Sequence, residues 1–277
     1  GETTISHPVF CPCFLLWQTR VLNHLHQLEP LAKVTWHTPL TWHLWEGGLD
    51  LPPMSSDAED INQQIRAMRR SYGEQGLSEE IAGTEPISLF ALWLKEATHN
   101  PFIVEANAMV LSTHDGAELT SRTVLLKGFD SDTGGCTFYT NYGSRKAQAL
   151  DRNPEVSLLF PWYAMERQVI IHARVEKVSR GLSEEYFASR PWSSQIGALA
   201  SDQSMVIDNR ETLQARWNEL AQRYPEGTQV PLPENWGGYC AIPHSFEFWQ
   251  GRYSRLHDRI FFTQSESGGW SRVRLAP

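Results

Sequence analysis

A chain of 277 residues, 41% of them hydrophobic, can bury a sizeable core as one domain or two small ones. Its 24 Lys and Arg against 32 Asp and Glu leave a formal charge of −8, which excludes any global attraction to nucleic acid or anionic membranes and makes every basic cluster a local feature. No apolar run approaches the ~20 residues that a bilayer-spanning helix needs, so a soluble, cytoplasmic protein is expected.

Residues 1–53 hold Trp17, Trp36, Trp42 and Trp45, five of the ten histidines, one arginine and one lysine. The stretch from Pro8 to Trp17 is apolar but has no basic start, and the segment lacks the arginines of a mitochondrial presequence. Its histidines share no period, so no metal site is expected. The first methionine is Met54. Residues 1–53 are therefore expected to lie outside the folded core, either because translation starts at Met54 or as a poorly ordered appendage. Cys11, Cys13, Cys136 and Cys240 have no CxxC spacing for zinc and are expected as free thiols.

An N-terminal helix and arm are expected over 54–85, and the main domain over 86–277. Ser56 and Glu59 form a capping-box pattern, Ile61, Ile65 and Met68 follow at helical spacing, and Gly73 is a plausible stop. A second helix, 86–98, starts on a proline and carries Leu89, Phe90, Trp93 and Leu94 as a core stripe. Strand signals then dominate: 107–113, an Asp115-Gly116 turn, 120–129, 136–140, 156–162 and 167–178. Links of hairpin length between them predict an antiparallel sheet. Helices interrupt at 144–152, 182–189 and 208–223. A Pro-rich loop spans 225–235, and strands near 237–243, 245–250 and 259–263 finish the sheet. The order fits an α+β fold, a small antiparallel barrel with helices packed around it. There is no GxGxxG or Walker sequence, so a Rossmann or P-loop fold is not expected.

Two basic clusters stand out. In the first, Arg122 to Lys127 reads as a strand with polar ends, and Ser144 is an N-cap that puts Arg145 and Lys146 in the first turn of a helix. Cations there oppose the helix dipole, which makes sense if an anion meets them and the free N–H groups. The bland alternative is two side chains in water. The second cluster, Trp249 to Arg259, places a tryptophan, a histidine, an aspartate and three arginines within eleven residues. Guanidinium forks suit phosphate and an aromatic can flank a flat ring, although a solvated salt-bridge cluster has the same composition. Tyr186 and Arg190 lie four apart on one helix face, and Ser194 follows Pro191 near another helix start. Taken alone they read as a core aromatic, a surface charge and a cap.

The segments RTVLLKGF, FYTNYGSRKA, SLLFPWYAMERQV, EYFASRPWSSQIGA, SDQS, WGGY, EFWQGRYSRLHDR and the final RLAP, in this order over residues 57–277, resemble the pyridoxamine 5′-phosphate oxidase family. The resemblance implies an FMN-binding split barrel, a homodimer with FMN at the subunit interface, and no nucleic acid or membrane partner. It implies oxidation of pyridoxamine 5′-phosphate or pyridoxine 5′-phosphate by O2 to pyridoxal 5′-phosphate, with release of H2O2 and, from the amine, ammonia. As cofactor-binding residues it implies Arg122, Thr123, Val124, Leu125, Lys127, Tyr139, Thr140, Ser144, Arg145, Lys146, Gln168, Trp249 and Arg259, with Gln203 and Ser204 reaching in from the partner chain. For the substrate it implies Lys127, Tyr186, Arg190 and Ser194, the run Arg255, Leu256 and His257 over the pyridine ring, and a closing segment of Arg69, Arg70, Ser71 and Tyr72. Arg255 and His257 would lie nearest the reacting carbon, and no metal is implied. A flavin reductase on the same barrel and a non-catalytic pyridoxal phosphate carrier are the rival readings.

Overall fold

The structure, a computed structural model, describes residues 55–68, 71–266 and 268–277. The leader, Met54, Arg69 and Arg70 lie outside the described residues. The described residues divide into two units, one ending at Ala67 and one running from Met68 onward. In the first, helix α1 (Ser55–Ala67) ends before the Gly73 stop that the sequence suggests. Among the described residues no helix is long and apolar enough to cross a membrane.

The second unit is built on one antiparallel sheet. After the short α2 (Glu79–Ala82) and α3 (Pro86–His99) come β1 (Ala108–His114), β2 (Leu119–Leu125), β3 (Gly128–Phe129), β4 (Cys136–Asn141), α4 (Arg145–Arg152), β5 (Glu155–Trp162) and β6 (Arg167–Lys177). Helices α5 (Arg180–Ser189), α6 (Trp192–Ala200) and α7 (Arg210–Arg223) follow, then β7 (Trp236–Gln250), β8 (Asp258–Gln264) and β9 (Trp270–Leu275). The hydrogen-bonded path runs β2-β1-β5-β6-β7-β4-β3, with β8 on β7 and β9 on β8. The path does not close on itself. Its two end strands are consecutive in the chain, however, so Leu126 and Lys127 join them covalently. The Leu126 N–H still bonds to the Asn107 carbonyl beside β1, and the next N–H, of Lys127, bonds to the Thr137 carbonyl on β4, both at 2.8 Å. The single strand expected over 120–129 is broken here because the chain changes edges.

Alternation of period two sends one face of each strand inward. Met109 and Leu111, Leu158 and Phe160, Val169 and Ile171, Phe246 and Phe248, and Ile260 and Phe262 are fully buried. Helix α3 inserts its Leu89, Phe90, Trp93 and Ala97 stripe into this interior. The Phe90 ring lies 5.1 Å from Phe129 on β3 and 5.0 Å from Phe160 on β5, so α3 meets an end strand and an inner strand of the path at once. A second, smaller core gathers Phe187, Ile196, Val230 and Trp236 between α5, α6, α7 and the start of β7. Cys136 and Cys240 are free thiols, as expected.

Two strands expected near 237–243 and 245–250 are one strand of 15 residues. Pro243 suggests a break, but the ladder pairs Ala173 with Pro243 and His172 with Ser245, leaving His244 as the extra residue of a bulge. A bulge is where a strand tolerates proline. Strand β9 and the four-residue α2 carry no strong sequence signal and were not expected. Because Phe90 is fully buried against three strands, Phe90→Ala should destabilise the unit by about 3–5 kcal/mol, measurable as a lowered denaturant midpoint.

Candidate active site

Where the chain changes edges, a cavity of about 480 Å³ opens between β2, β4, α5, α6 and the start of β7. Thr123, Val124 and Leu125 line it from β2, Lys127 from the crossing, Tyr139 and Thr140 from β4, and Lys146 from α4. Tyr186, Arg190, Ser194, Gln203 and Trp236 complete the wall.

One end of the cavity is basic. Ser144 caps α4, its Oγ accepting the Ala147 N–H at 3.4 Å, and the first turn holds no acid. The Lys146 amine donates to Thr140 Oγ1 and Gln203 Oε1, both at 3.0 Å, and to Ser144 Oγ at 3.3 Å. Burial, and then the Arg122 charge, pushes this amine down to about 8. Arg122 itself is fixed by the Leu111 carbonyl at 3.1 Å and by Thr113 Oγ1 at 2.8 Å, and burial lowers its pKa too. Arg145 pairs with Glu118 in solvent, and its charge adds to the effect of burial on Arg122. Gln203, which the resemblance assigns to the partner chain's site, bonds to Thr140 and Lys146 of its own chain. Ser204 is exposed beside it, in a left-handed conformation with φ 74°.

The other end is aromatic. Tyr139 stacks on Tyr186 with centroids 4.0 Å apart and on Trp236 at 5.5 Å. The close approach needs Gly238, where a Cβ would lie 2.8 Å from the Tyr139 ring. The Arg190 guanidinium lies 4.9 Å from the Trp236 ring centroid, and burial lowers its pKa. Its Nη1 is buried without a hydrogen-bond partner. A donor so placed carries an uncompensated desolvation cost that an anionic oxygen would remove.

The remaining expected residues gather elsewhere, around the hairpin between β7 and β8. Gln168, Trp249 and Arg259 are directly paired across β6, β7 and β8 and so share one sheet face. Arg259 is tied to Glu247 Oε1 at 2.8 Å. In the hairpin, Ser254 and Arg255 are both left-handed, with φ 58° and 66°. The His257 ring lies 4.7 Å from Trp249 and 5.0 Å from Tyr72. The Arg255 guanidinium is 5.9 Å from the Tyr72 ring, and Leu256 is exposed.

Tyr72 arrives on residues 71–77, a strap fastened mainly through its backbone to the hairpin and to Glu166 in the turn between β5 and β6. The Gly73 N–H bonds to the Glu166 carboxylate at 2.8 Å, and the Leu77 N–H bonds to Asp258 Oδ2 at 2.9 Å. Arg252 donates to the Glu74 carbonyl at 3.0 Å. Asp258 is in turn held by Arg274 at 2.6 Å. Ser71 is exposed at the start of the strap. Arg252 and Trp236 fall within the second basic cluster and the WGGY segment but carry no role in the sequence, Glu166 stands out in neither, and the part played by Asp258 is open there. Only Trp236 had a signal, the glycine pair that follows it.

An antiparallel barrel split at its seam, with a basic and aromatic cavity there, defines the split-barrel class. A family model described as pyridoxamine 5′-phosphate oxidase matches residues 96–224, and one for the pyridoxine 5′-phosphate oxidase C-terminal dimerisation region matches residues 236–277. The chain belongs to the pyridoxamine 5′-phosphate oxidase family. A pyridoxine/pyridoxamine 5′-phosphate oxidase of Rhodopirellula baltica is 50% identical over 214 residues, 76% of this chain and 95% of that protein. One from Prochlorococcus marinus is 46% identical, covering 79% and 99%. Among solved structures, PhzG from Burkholderia lata, in complex with tetrahydrophenazine-1-carboxylic acid, has a TM-score of 0.68 at 26% identity, over 75% of this chain and all of that one. A pyridoxamine 5′-phosphate oxidase-related, FMN-binding protein of Nostoc punctiforme has a TM-score of 0.56 at 14% identity, over 69% and 96%, and shares the fold.

If Arg190 serves a ligand rather than the fold, Arg190→Met should leave the ligand-free protein as stable as wild type or up to about 1–2 kcal/mol more stable. Urea unfolding measures this, and a clear loss of stability would make the guanidinium structural.

Proposed function

We propose that the chain is an FMN-dependent oxidase that converts pyridoxamine 5′-phosphate and pyridoxine 5′-phosphate to pyridoxal 5′-phosphate with O2 as acceptor. The observation that carries this reading is the unpartnered Nη1 of Arg190 in the same cavity as the half-buried Lys146 amine. A cavity with cations at both ends fits a phosphorylated flavin beside a phosphorylated pyridine. Lys146, Thr140 and the Ser144-capped start of α4 would hold the FMN phosphate, with the Arg122 charge behind them. Thr123 to Leu125 would face the flavin. Tyr186, Arg190, Ser194 and Lys127 would take the substrate phosphate and so orient the pyridine. Bound FMN supplies a two-electron acceptor that O2 regenerates with release of hydrogen peroxide. Arg255 and His257 would face the reacting carbon, with Tyr72 excluding water above them.

A homodimer is part of the proposal. Gly238, opposite Tyr139, and Trp249, opposite Gln168, are eleven residues apart on β7. That is about 36 Å of strand path, much longer than one pyridine phosphate. Each site would therefore join the cavity of one protomer to the hairpin of its partner, which agrees with the match of residues 236–277 to a dimerisation region.

The purified protein should be yellow, release FMN on denaturation, and form pyridoxal phosphate and H2O2 in equal amounts over many turnovers. Recovery of FAD, NADPH oxidation without B6 turnover, or a single turnover would overturn the reading.

Titration of Lys146 gives a second test. A lysine with its pKa lowered to about 8 is charged below that pH, so the free site loses its cation as pH rises through it. FMN affinity should be full near pH 7 and fall by roughly tenfold or more towards pH 9.5. Lys146→Met should bind FMN more weakly and show little change over the same window, read by flavin fluorescence quenching.

Shared sites can be tested by mixing. Arg190→Ala and Arg255→Ala should each be impaired at low substrate. Co-expressed in equal amounts, they should recover up to about a quarter of wild-type activity, because half the dimers then have one intact site in two. No recovery would place both residues in one protomer's site.

A further inference from the structure

His257 has one ring nitrogen whose role is fixed by its neighbour. Nδ1 lies 3.0 Å from the Arg252 backbone nitrogen, and a backbone N–H can only donate. Nδ1 must therefore accept. In a neutral imidazole the single proton then sits on Nε2. Flipping the ring would set a carbon against that N–H and lose the bond. The consecutive left-handed residues Ser254 and Arg255 turn the hairpin back so that the amide of residue 252 reaches a side chain five residues on.

The surroundings oppose a second proton. A proton on Nδ1 would face the Arg252 N–H directly. Burial, and then the Arg255 charge, lowers the pKa of the ring. Tyr72 from the strap and Trp249 from β7 present rings to it rather than charges. Of the nearby acids, Asp258 is engaged by the Leu77 N–H and Arg274, and Glu166 by the Gly73 N–H.

We infer that His257 is held by the Arg252 amide as a neutral imidazole protonated on Nε2, and that it meets its ligand as a hydrogen-bond donor rather than a general base. The inference rests on the proposed oxidase reading for the acceptor, a lone-pair oxygen or nitrogen of the substrate beside the reacting carbon. The tautomer stands independently of that reading.

Long-range proton–nitrogen NMR of the FMN-loaded protein, labelled with 15N-histidine, tests the tautomer directly, with His257→Gln assigning the resonance by its loss. A pyridine-type Nδ1 and a pyrrole-type Nε2 are expected from about pH 7 to 8.5, the range above the ordinary histidine pKa. A proton on Nδ1, or an imidazolium, overturns the inference. The donor role is tested by turnover. His257→Gln, whose amide N–H can replace Nε2–H, should stay within about tenfold of wild type, and His257→Ala should lose about another tenfold, the scale of one hydrogen bond. The wild-type pH profile should contain no ionisation that His257→Gln removes. Equal losses in the two variants, or such an ionisation, would overturn the donor role. An inactive wild type would sink the oxidase reading, and the spectra would still decide the tautomer.

Discussion

Two successive backbone hydrogen bonds, Leu126 to Asn107 and Lys127 to Thr137, move the chain from one end of the sheet path to the other. Buried or half-buried backbone must keep its pairing, so a chain that leaves one ladder has to join the next at once. This handover joins the ends of an open sheet into a barrel-like unit without a closing ladder. It sets β2 against β4 across a seam, and the cavity lies in that seam. Lys127 stands there because its own N–H makes the second of the two bonds.

The interior behind the seam is aliphatic and aromatic, and the seam itself is short of negative charge. Arg122 and Lys146 are both partly buried, and the Arg122 charge adds to the cost of charging Lys146. Glu118 takes up Arg145 but leaves these two without a carboxylate. At the far end Arg190 adds a guanidinium 4.9 Å from the Trp236 ring centroid. Such an arrangement costs stability in the free protein and favours whatever brings anionic oxygens. Strand β7 links the two regions, ending at Trp236 in the cavity wall and at Gln250 beside the hairpin, and its bulge at His244 absorbs a register shift on the way.

Much of this was legible in the residues. Alternation over 156–162 and 167–177 and the Leu89, Phe90, Trp93 stripe carry their own periods, and Ser144 announces α4 through its side chain. Tyr186 and Arg190 share a helix face, so their meeting is local. Pro243 misled because a proline in a strand normally marks an end, and only the partner strand shows that the ladder continues. The break at Leu126 is invisible for a related reason, since the sequence there is as apolar as any strand. Glu166, Arg252 and Asp258 were missed or left open because their partners are backbone groups far away in sequence: Gly73, Glu74 and Leu77. The pairing of Arg145 with Glu118, twenty-seven positions earlier, has no sequence signal at all.

Among the described residues, the non-glycine positions with positive φ are Glu166, Ser204, Ser254 and Arg255, and three of them flank the hairpin or lie in it. Side chains with a Cβ adopt this conformation at a cost, and glycine or asparagine would lessen it. Selection for heat resistance alone would therefore drift towards those residues at 254 and 255. Glycine there would relax the hairpin and also release the turn that aims its neighbours. An arginine in the costlier conformation, next to a serine in the same state, makes a hairpin shaped by what it presents rather than by how firmly it folds.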